Sequence, residues 1–364
     1  MIEVQVQPLD PRDERIEAEW RLLETLAKPS FFLSWDWTGS LLATLPARSI
    51  SLLRLSDGSQ TVGQAYLGRE RTVRHLVVWS ERLYLNAPGE LLTIEDNLLL
   101  ARPELETVCW DALLRWFAHE QNVADELVLQ GLRQPLELAA TTCYPLRYDH
   151  LPLQSYHVDL KRLDDTAGGF SDLLSKNARY QLHRSIRDYG GSGALQLREA
   201  GSIEEALAWF DNMKVLHSDS WARRGKPHAF SRPFFETFHR NLIRRTFAAG
   251  RIQMLRVDAG GKPIAYLYNF RDGLRTYAYQ SGFADKDRRL RPGAVSHALA
   301  IEHNFRLGVR LYDFMAGNNR LKSSFATGCR DMHWTTVQLP RIRFWLENVA
   351  RHAKHRFCGD NRGN

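Results

Sequence analysis

The sequence predicts an α+β protein in two similar copies. Three observations carry that expectation. Residues 53–67 read LRLSDGSQTVGQAYL and residues 255–269 read LRVDAGGKPIAYLYN, so that Leu53/Leu255, Arg54/Arg256, Gly58/Gly260 and Tyr66/Tyr268 match at one constant offset. Both stretches read as strand, glycine turn, strand, because apolar alternation around a glycine is a hairpin signal. Each hairpin also follows a helix-rich aromatic stretch and precedes further strands, a helix and a closing strand.

Along the first half, residues 18–45 are helix-rich, VRHLVVW at 73–79 reads as a strand, CWDALLRWFAHEQN at 109–122 as a helix, and ADELVLQGL at 124–132 as the closing strand. LPLQSYHVDLKRL at 151–163 is the joining strand. Residues 174–200 then give a basic helix, a glycine-rich turn and a strand. In the second half, helices are expected in 204–225 and 232–250, and a strand over LRTYAYQSGF at 274–283. AVSHALAIEHNFRLG at 294–308 follows as a helix, VRLYDFMAG at 309–317 as a strand, and GNNRLKSSF at 317–325 as a turn. The expected domains are 1–150 and 151–340. Residues 341–364 form a basic amphipathic helix and a loose tail, either solvated or in peripheral contact with a membrane-associated assembly.

Composition narrows the classes. The chain has 364 residues, 44% apolar and 25% charged, which are soluble-globular values. No apolar run is long enough to span a bilayer, and the acidic N-terminus lacks a secretory h-region. Cys109, Cys143, Cys329 and Cys358 show neither CxxC nor His-paired spacing. A cytoplasmic chain without a metal site or disulfide framework is therefore expected. The formal net charge is +7, with Arg well ahead of Lys. That suits a phosphate-bearing ligand, tRNA or anionic lipid, and equally a genome that uses Arg for Lys throughout.

RRLRPGAVSHALAIEHNFRLG, at 288–308, places arginines, a proline and a glycine directly before a helix. A helix N-terminus offers unpaired N–H groups and partial positive charge, and glycine admits a phosphate closely. The alternative is a solvated turn. Pro292 suits the first helical position, where its missing N–H costs nothing.

These features resemble the GNAT acyltransferase fold. The doubling is similar to the FemAB-like branch, and the segments 29–42, 83–90, 174–189, 216–221 and 283–328 resemble the CelD-like (cellulose-biosynthesis) acetyltransferases. The resemblance implies two tandem GNAT-like domains, each with a mixed, mostly antiparallel sheet flanked by helices. It implies acetyl-CoA or another acyl-CoA as co-substrate, its pyrophosphate received at Arg288, Arg289, Arg291, Gly293 and Ala294. The family loop has glycine where Arg291 stands, and an arginine there can crowd phosphates or bind them. Gln280 and Gly282, on the preceding strand, would hold the donor's amide arm.

Acyl transfer needs a nucleophile relieved of its proton and a stabilised leaving group. Asp313, Glu302 and His297 are the candidate bases, Tyr279 is a further catalytic candidate, and Lys322 a candidate for holding an anion or the oxyanion. Each has a structural alternative: an ion-paired Asp, a half-buried Tyr, a solvated Lys. His297 reads as a surface residue near the phosphates, and Glu302 and His303 as solvent-facing. Arg179, Arg184 and Trp221 are candidates for the substrate, with Arg187 beside them and His217 sharing a helix face with Trp221.

The leading expectation is an acyl-CoA-dependent N- or O-acyltransferase acting on a small molecule, a glycan or an envelope precursor. A second keeps the fold but takes aminoacyl-tRNA as donor. A third is a non-catalytic scaffold of a polysaccharide-synthesis assembly. The oligomeric state is open.

Overall fold

The computed structural model describes residues 2–10, 13–46, 50–74, 78–90, 92, 94–120, 124–134, 146–191, 193–223, 225, 229–284 and 289–347. In chain order its strands and helices begin β1 (Glu3–Pro8), α1 (Glu14–Ala27), α2 (Trp35–Leu42), β2 (Ile50–Asp57), β3 (Gln60–Arg74), β4 (Val78–Leu85) and β5 (Leu100–Ala101). There follow α3 (Glu106–His119), β6 (Glu126–Leu132), β7 (Arg147–Asp159), α4 (Lys176–Gly190), β8 (Leu195–Glu199), α5 (Ile203–Ala222) and α6 (Pro233–Thr246). The last are β9 (Ile252–Ala259), β10 (Lys262–Asp272), β11 (Arg275–Phe283), α7 (Pro292–Arg306), β12 (Leu311–Ala316), α8 (Arg320–Phe325) and β13 (Gly328–Gln338).

Two compact units interleave along the chain. The first comprises residues 1–33, 45–152 and 333–364, the second 34–44 and 153–332. Against the expected division at 150 and 340, the 34–44 segment with α2 belongs to the second unit, and the closing strand of the first comes from β13.

In the first unit the strand order is β1-β2-β3-β4-β6-β13. All neighbours run antiparallel except β4 and β6, which are parallel. Its core joins Leu53, Leu67, Leu85 and Leu127 of the sheet to Leu113 and Phe117 of α3. In the second unit the order is β7-β12-β11-β10-β9-β8, with β11 and β12 the parallel pair. There α7 lays Val295, Ala298 and Ile301 on Leu255, Val257 and Leu267. Each half therefore carries one parallel pair at the same place in its order.

The repeat extends to register. Leu53 pairs with Ala65 and Leu255 with Leu267, and a register shift follows Leu55 in one hairpin just as one follows Val257 in the other. Gly58 and Gly260 take positive φ of 59° and 56°, the left-handed backbone a two-residue hairpin turn demands. Local chemistry fixes the helix starts. Ser202 caps α5, its hydroxyl accepting from Glu205 N–H at 3.2 Å, while the Glu205 carboxylate reaches back one residue further to accept from Gly201 N–H at 2.9 Å.

Two local expectations change. The 73–79 stretch is not a separate strand: β3 runs on to Arg74 and β4 starts at Val78. The 317–325 stretch holds a helix, α8, because Asn319 caps it by accepting from Lys322 N–H at 2.9 Å. Of the C-terminal segment, 342–347 is helical, and the rest of 341–364 lies largely outside the described residues.

Candidate active site

The second unit has an opening where its parallel strands part. β11 and β12 pair only at Arg275/Leu311, Thr276/Tyr312 and Tyr277/Asp313. Beyond that, β11 continues beside β10 to Phe283, and β12 beside β7 to Ala316. Between them runs a seam. Residues 278–281 are only partly buried, whereas β9 and the middle of β10, 264–270, are almost wholly buried. A separation of this kind leaves backbone N–H and C=O groups able to pair with an extended ligand. Tyr279 is the extra residue where the β10/β11 register shifts, since Asn269 faces Ala278 and Tyr268 faces Gln280.

At the end of the seam, the N-terminus of α7 opens on a cleft of about 390 Å³. Arg291, Gly293 and Ala294 line one side, Ser175, Asn177 and Gln181 of the α4 region a second, and Arg320, Ser324 and Phe325 of α8 a third. Two arginines and no carboxylate line it, so the cleft favours an anion. Pro292 brings no N–H and Ala294 N–H already donates to the Arg291 carbonyl at 3.0 Å, so the start of α7 adds to the same preference through Gly293 N–H and the helix dipole. Gly293 is constrained as well: a Cβ there would meet the Phe283 ring at 3.3 Å. Arg291 is the N-cap and holds a left-handed conformation with φ 49°. It thus keeps the backbone shape that glycine would supply easily while adding a guanidinium to the cleft.

On the side of α2 and α6, a buried polar chain crosses an aromatic cluster. His239 Nε2 lies 3.2 Å from Tyr279 Oη, and His239 Nδ1 lies 3.3 Å from Tyr268 Oη. The rings of Phe235 and Phe238 stand 4.2 and 4.7 Å from the imidazole, and Trp37 of α2 is edge-on to it. Burial holds the His239 pKa well below its usual value and pushes the Tyr268 phenol up. The imidazole is therefore neutral: it donates from one nitrogen and accepts at the other. With the proton on Nε2 it donates to Tyr279 and accepts from Tyr268, and with the proton on Nδ1 the roles reverse.

The remaining expected residues fall into distinct places. Asp313, 1% exposed, accepts from Arg275 Nε at 3.1 Å, with the second Arg275 nitrogen closer still. It also accepts from Arg330 at 3.3 Å and from Met315 N–H at 2.6 Å. This carboxylate is saturated; it holds two arginines and the irregular end of β12, where Met315 takes φ 65°. Lys322 donates from Nζ to the Met315 and Ala316 carbonyls at 3.2 and 2.7 Å, closing the end of β12. Arg179 donates to the Ser171 and Asp172 carbonyls, and Arg184 sits beside Asp188 on exposed helix surface. Gly282 packs under α5, where a Cβ would meet the Met213 carbonyl at 2.4 Å. Trp221 stacks on His217, whose Nδ1 lies 2.9 Å from the Ser281 carbonyl. Gln280 borders the seam half-buried, Arg289 lies in the turn before α7, and Arg288 is outside the described residues.

Three further expectations are corrected. His297 is buried, with Nδ1 3.0 Å from Tyr312 Oη, because α7 turns that face to the sheet; burial first and the Lys322 charge second push its pKa down to about 3. Glu302 accepts from Phe170 N–H, and His303 lies 2.8 Å from Glu199, so neither faces solvent unengaged. Sequence reasoning missed His239, Tyr268, Arg320 and Trp37. A glycine-turn-based reading had no signal for a histidine inside an aromatic helix.

Residues 176–323, which hold the seam and most of the cleft's lining, match the family described as acetyltransferase (GNAT) domain. The matched stretch falls within the second unit. No curated protein matches the sequence. Among solved structures, FemX is similar over 91% of this chain and 96% of its own, with TM-score 0.56 at 9% identity. A tandem GNAT protein from the clavulanic acid biosynthesis pathway is similar over 93% of this chain and all of its own, with TM-score 0.51 at 14% identity. The C-terminal domain of a candidate lysylphosphatidylglycerol synthetase from Agrobacterium fabrum covers 93% of this chain and 95% of its own, with TM-score 0.54 at 11% identity. At such identities the likeness is one of fold: the GNAT fold in tandem, a mixed sheet flanked by helices in each unit.

Proposed function

We propose that the GNAT domain transfers an acyl group from acyl-CoA, in the simplest case acetyl-CoA, to an amine or hydroxyl of a sugar, polysaccharide or envelope precursor, as in the CelD-like branch. The observation that carries this reading is the carboxylate-free cleft at the N-terminus of α7, with Arg291 and Arg320 reaching it from two sides. Donor phosphates suit that charge, since arginine forms paired, charge-assisted hydrogen bonds. The seam suits the donor's amide arm. In the transfer a bond forms between the acceptor nitrogen or oxygen and the acyl carbon, the carbon–sulfur bond breaks, and the acceptor's proton passes to sulfur. Tyr279 is the residue we assign to that proton, positioned through its hydroxyl by His239.

Calorimetric titration of acetyl-CoA into the protein tests the donor site, with Gly293→Glu as control. Saturable binding that the control loses is the expected result. Absence of binding by any acyl-CoA would sink the reading. Similarity to FemX and a net charge of +7 favour a second donor, aminoacyl-tRNA. Filter binding of aminoacyl-tRNA over a salt series separates the two, because a phosphate-rich polyanion loses affinity steeply with salt.

A further inference from the structure

Helix 342–347 belongs to the first unit. It buries Phe344 and turns Ile342, Trp345 and Leu346 outward, 79%, 64% and 54% exposed. The spacing i, i+3, i+4 puts all three on one helix face. The patch continues onto the β3/β4 hairpin, where Val73 and Trp79 form an exposed cross-strand pair. Trp79 joins the two parts, since its ring is sandwiched by Arg71 at 4.6 Å and by Arg343 at 4.2 Å. Arg343 is tied to Asp125, whereas Arg71, 62% exposed, only approaches Glu81 at 3.8 Å, so the face is apolar in the middle with one solvent-exposed arginine at its edge. The sequence that follows, 348–364, adds four Lys or Arg against one Asp. Water is a poor solvent for such a face, and an apolar protein groove would not use its charge.

We propose that this face seats the protein on an anionic lipid surface, with Ile342, Trp345 and Leu346 entering the headgroup boundary and the exposed Arg71 meeting lipid phosphates. An apolar helix face with tryptophan at the interface and arginine beside it binds by buried area plus attraction to anionic headgroups. Among the described residues no helix is long and apolar enough to cross a membrane, so the contact is peripheral.

Co-sedimentation of the full chain with phosphatidylglycerol/phosphatidylcholine vesicles, against pure phosphatidylcholine vesicles, tests it. The expected result is binding to the anionic vesicles at least tenfold stronger than to the neutral ones, weakened by salt. It should be lost in the triple variant Ile342→Ser, Trp345→Ser, Leu346→Ser. These side chains are exposed, and an unchanged thermal midpoint in the variant verifies that it folds. Equal binding to both vesicle types, no binding to either, or undiminished binding by the folded variant would each overturn the proposal. So would a dimer in solution that the triple variant converts to monomer, since the face would then be an interface between two copies.

Discussion

Arg291 places a β-carbon where the backbone is left-handed, at a cost of about 1–2 kcal/mol for an L-residue. Strain of this kind persists where the side chain is useful, and here the side chain lines the anion cleft. Arg291→Gly should therefore raise thermal stability while weakening acetyl-CoA binding by roughly tenfold or more, the worth of one charge-assisted hydrogen bond. A melting curve and a titration on the same sample check both signs. In the proposed chemistry His239 positions Tyr279, and His239→Phe keeps an aromatic ring in place while removing both nitrogens. Its expected mark is a kcat lowered about tenfold or more with the donor KM within twofold, and a changed pH–rate profile; a variant that only loosened packing would leave the profile's shape alone. The arginine-proline-glycine run before α7 was legible because loop chemistry is local. That Arg320 rather than Lys322 lines the cleft was not legible, for the opposite reason. Which residue of a short helix faces a cleft depends on where Asn319 starts it, and Lys322 turned back onto the β12 carbonyls.

At the scale of elements, the two halves differ in what occupies the gap between their parallel strands. β4 and β6 pair at Arg82/Glu126, Leu83/Leu127 and Tyr84/Val128 and then part, as β11 and β12 do. In the first unit the chain itself fills the opening. Asn97 donates its backbone N–H to the Gly131 carbonyl of β6 at 3.0 Å, and its side-chain amide to the Leu85 carbonyl of β4 at 3.0 Å. The Asn86 amide secures Asn97 in turn, at 2.9 Å. Helix α3, the counterpart of α7, has Glu106 in its first turn and Glu104 just before it, a charge that repels phosphate. We expect one donor bound per chain in a titration, and two equivalents would refute the distinction. The hairpin echo was readable because a turn glycine and alternating side chains are sequence-local. The filling of the opening was not, since it depends on long-range partners such as Asn97 and Gly131.

For the whole molecule, buried neutral histidines set the acid response. His297 titrates near pH 3 in the folded protein and near 6.5 when unfolded, so between those values the unfolded chain binds a proton that the native chain does not. Stability therefore falls as pH falls below about 6.5, by roughly 2 kcal/mol for one such histidine between pH 7 and pH 5. His239, shifted in the same direction, adds to the slope. Urea midpoints at the two pH values measure it, and His297→Gln should flatten the dependence; an unchanged slope would mean that His297 is not neutral in the native state. The doubled architecture could be seen in the sequence, whereas the interleaving of 34–44 with the second unit could not, because helix α2 is placed by Trp37 meeting Phe238 and Phe270 from distant segments. The self-filled opening has a practical reading for chemists. Residues 94–97 are a mould of what such a gap accepts, with a main-chain amide toward one strand and a carboxamide toward the other. Short bis-amides copied from that segment are a rational starting point for inhibitors of the open gap in the other half.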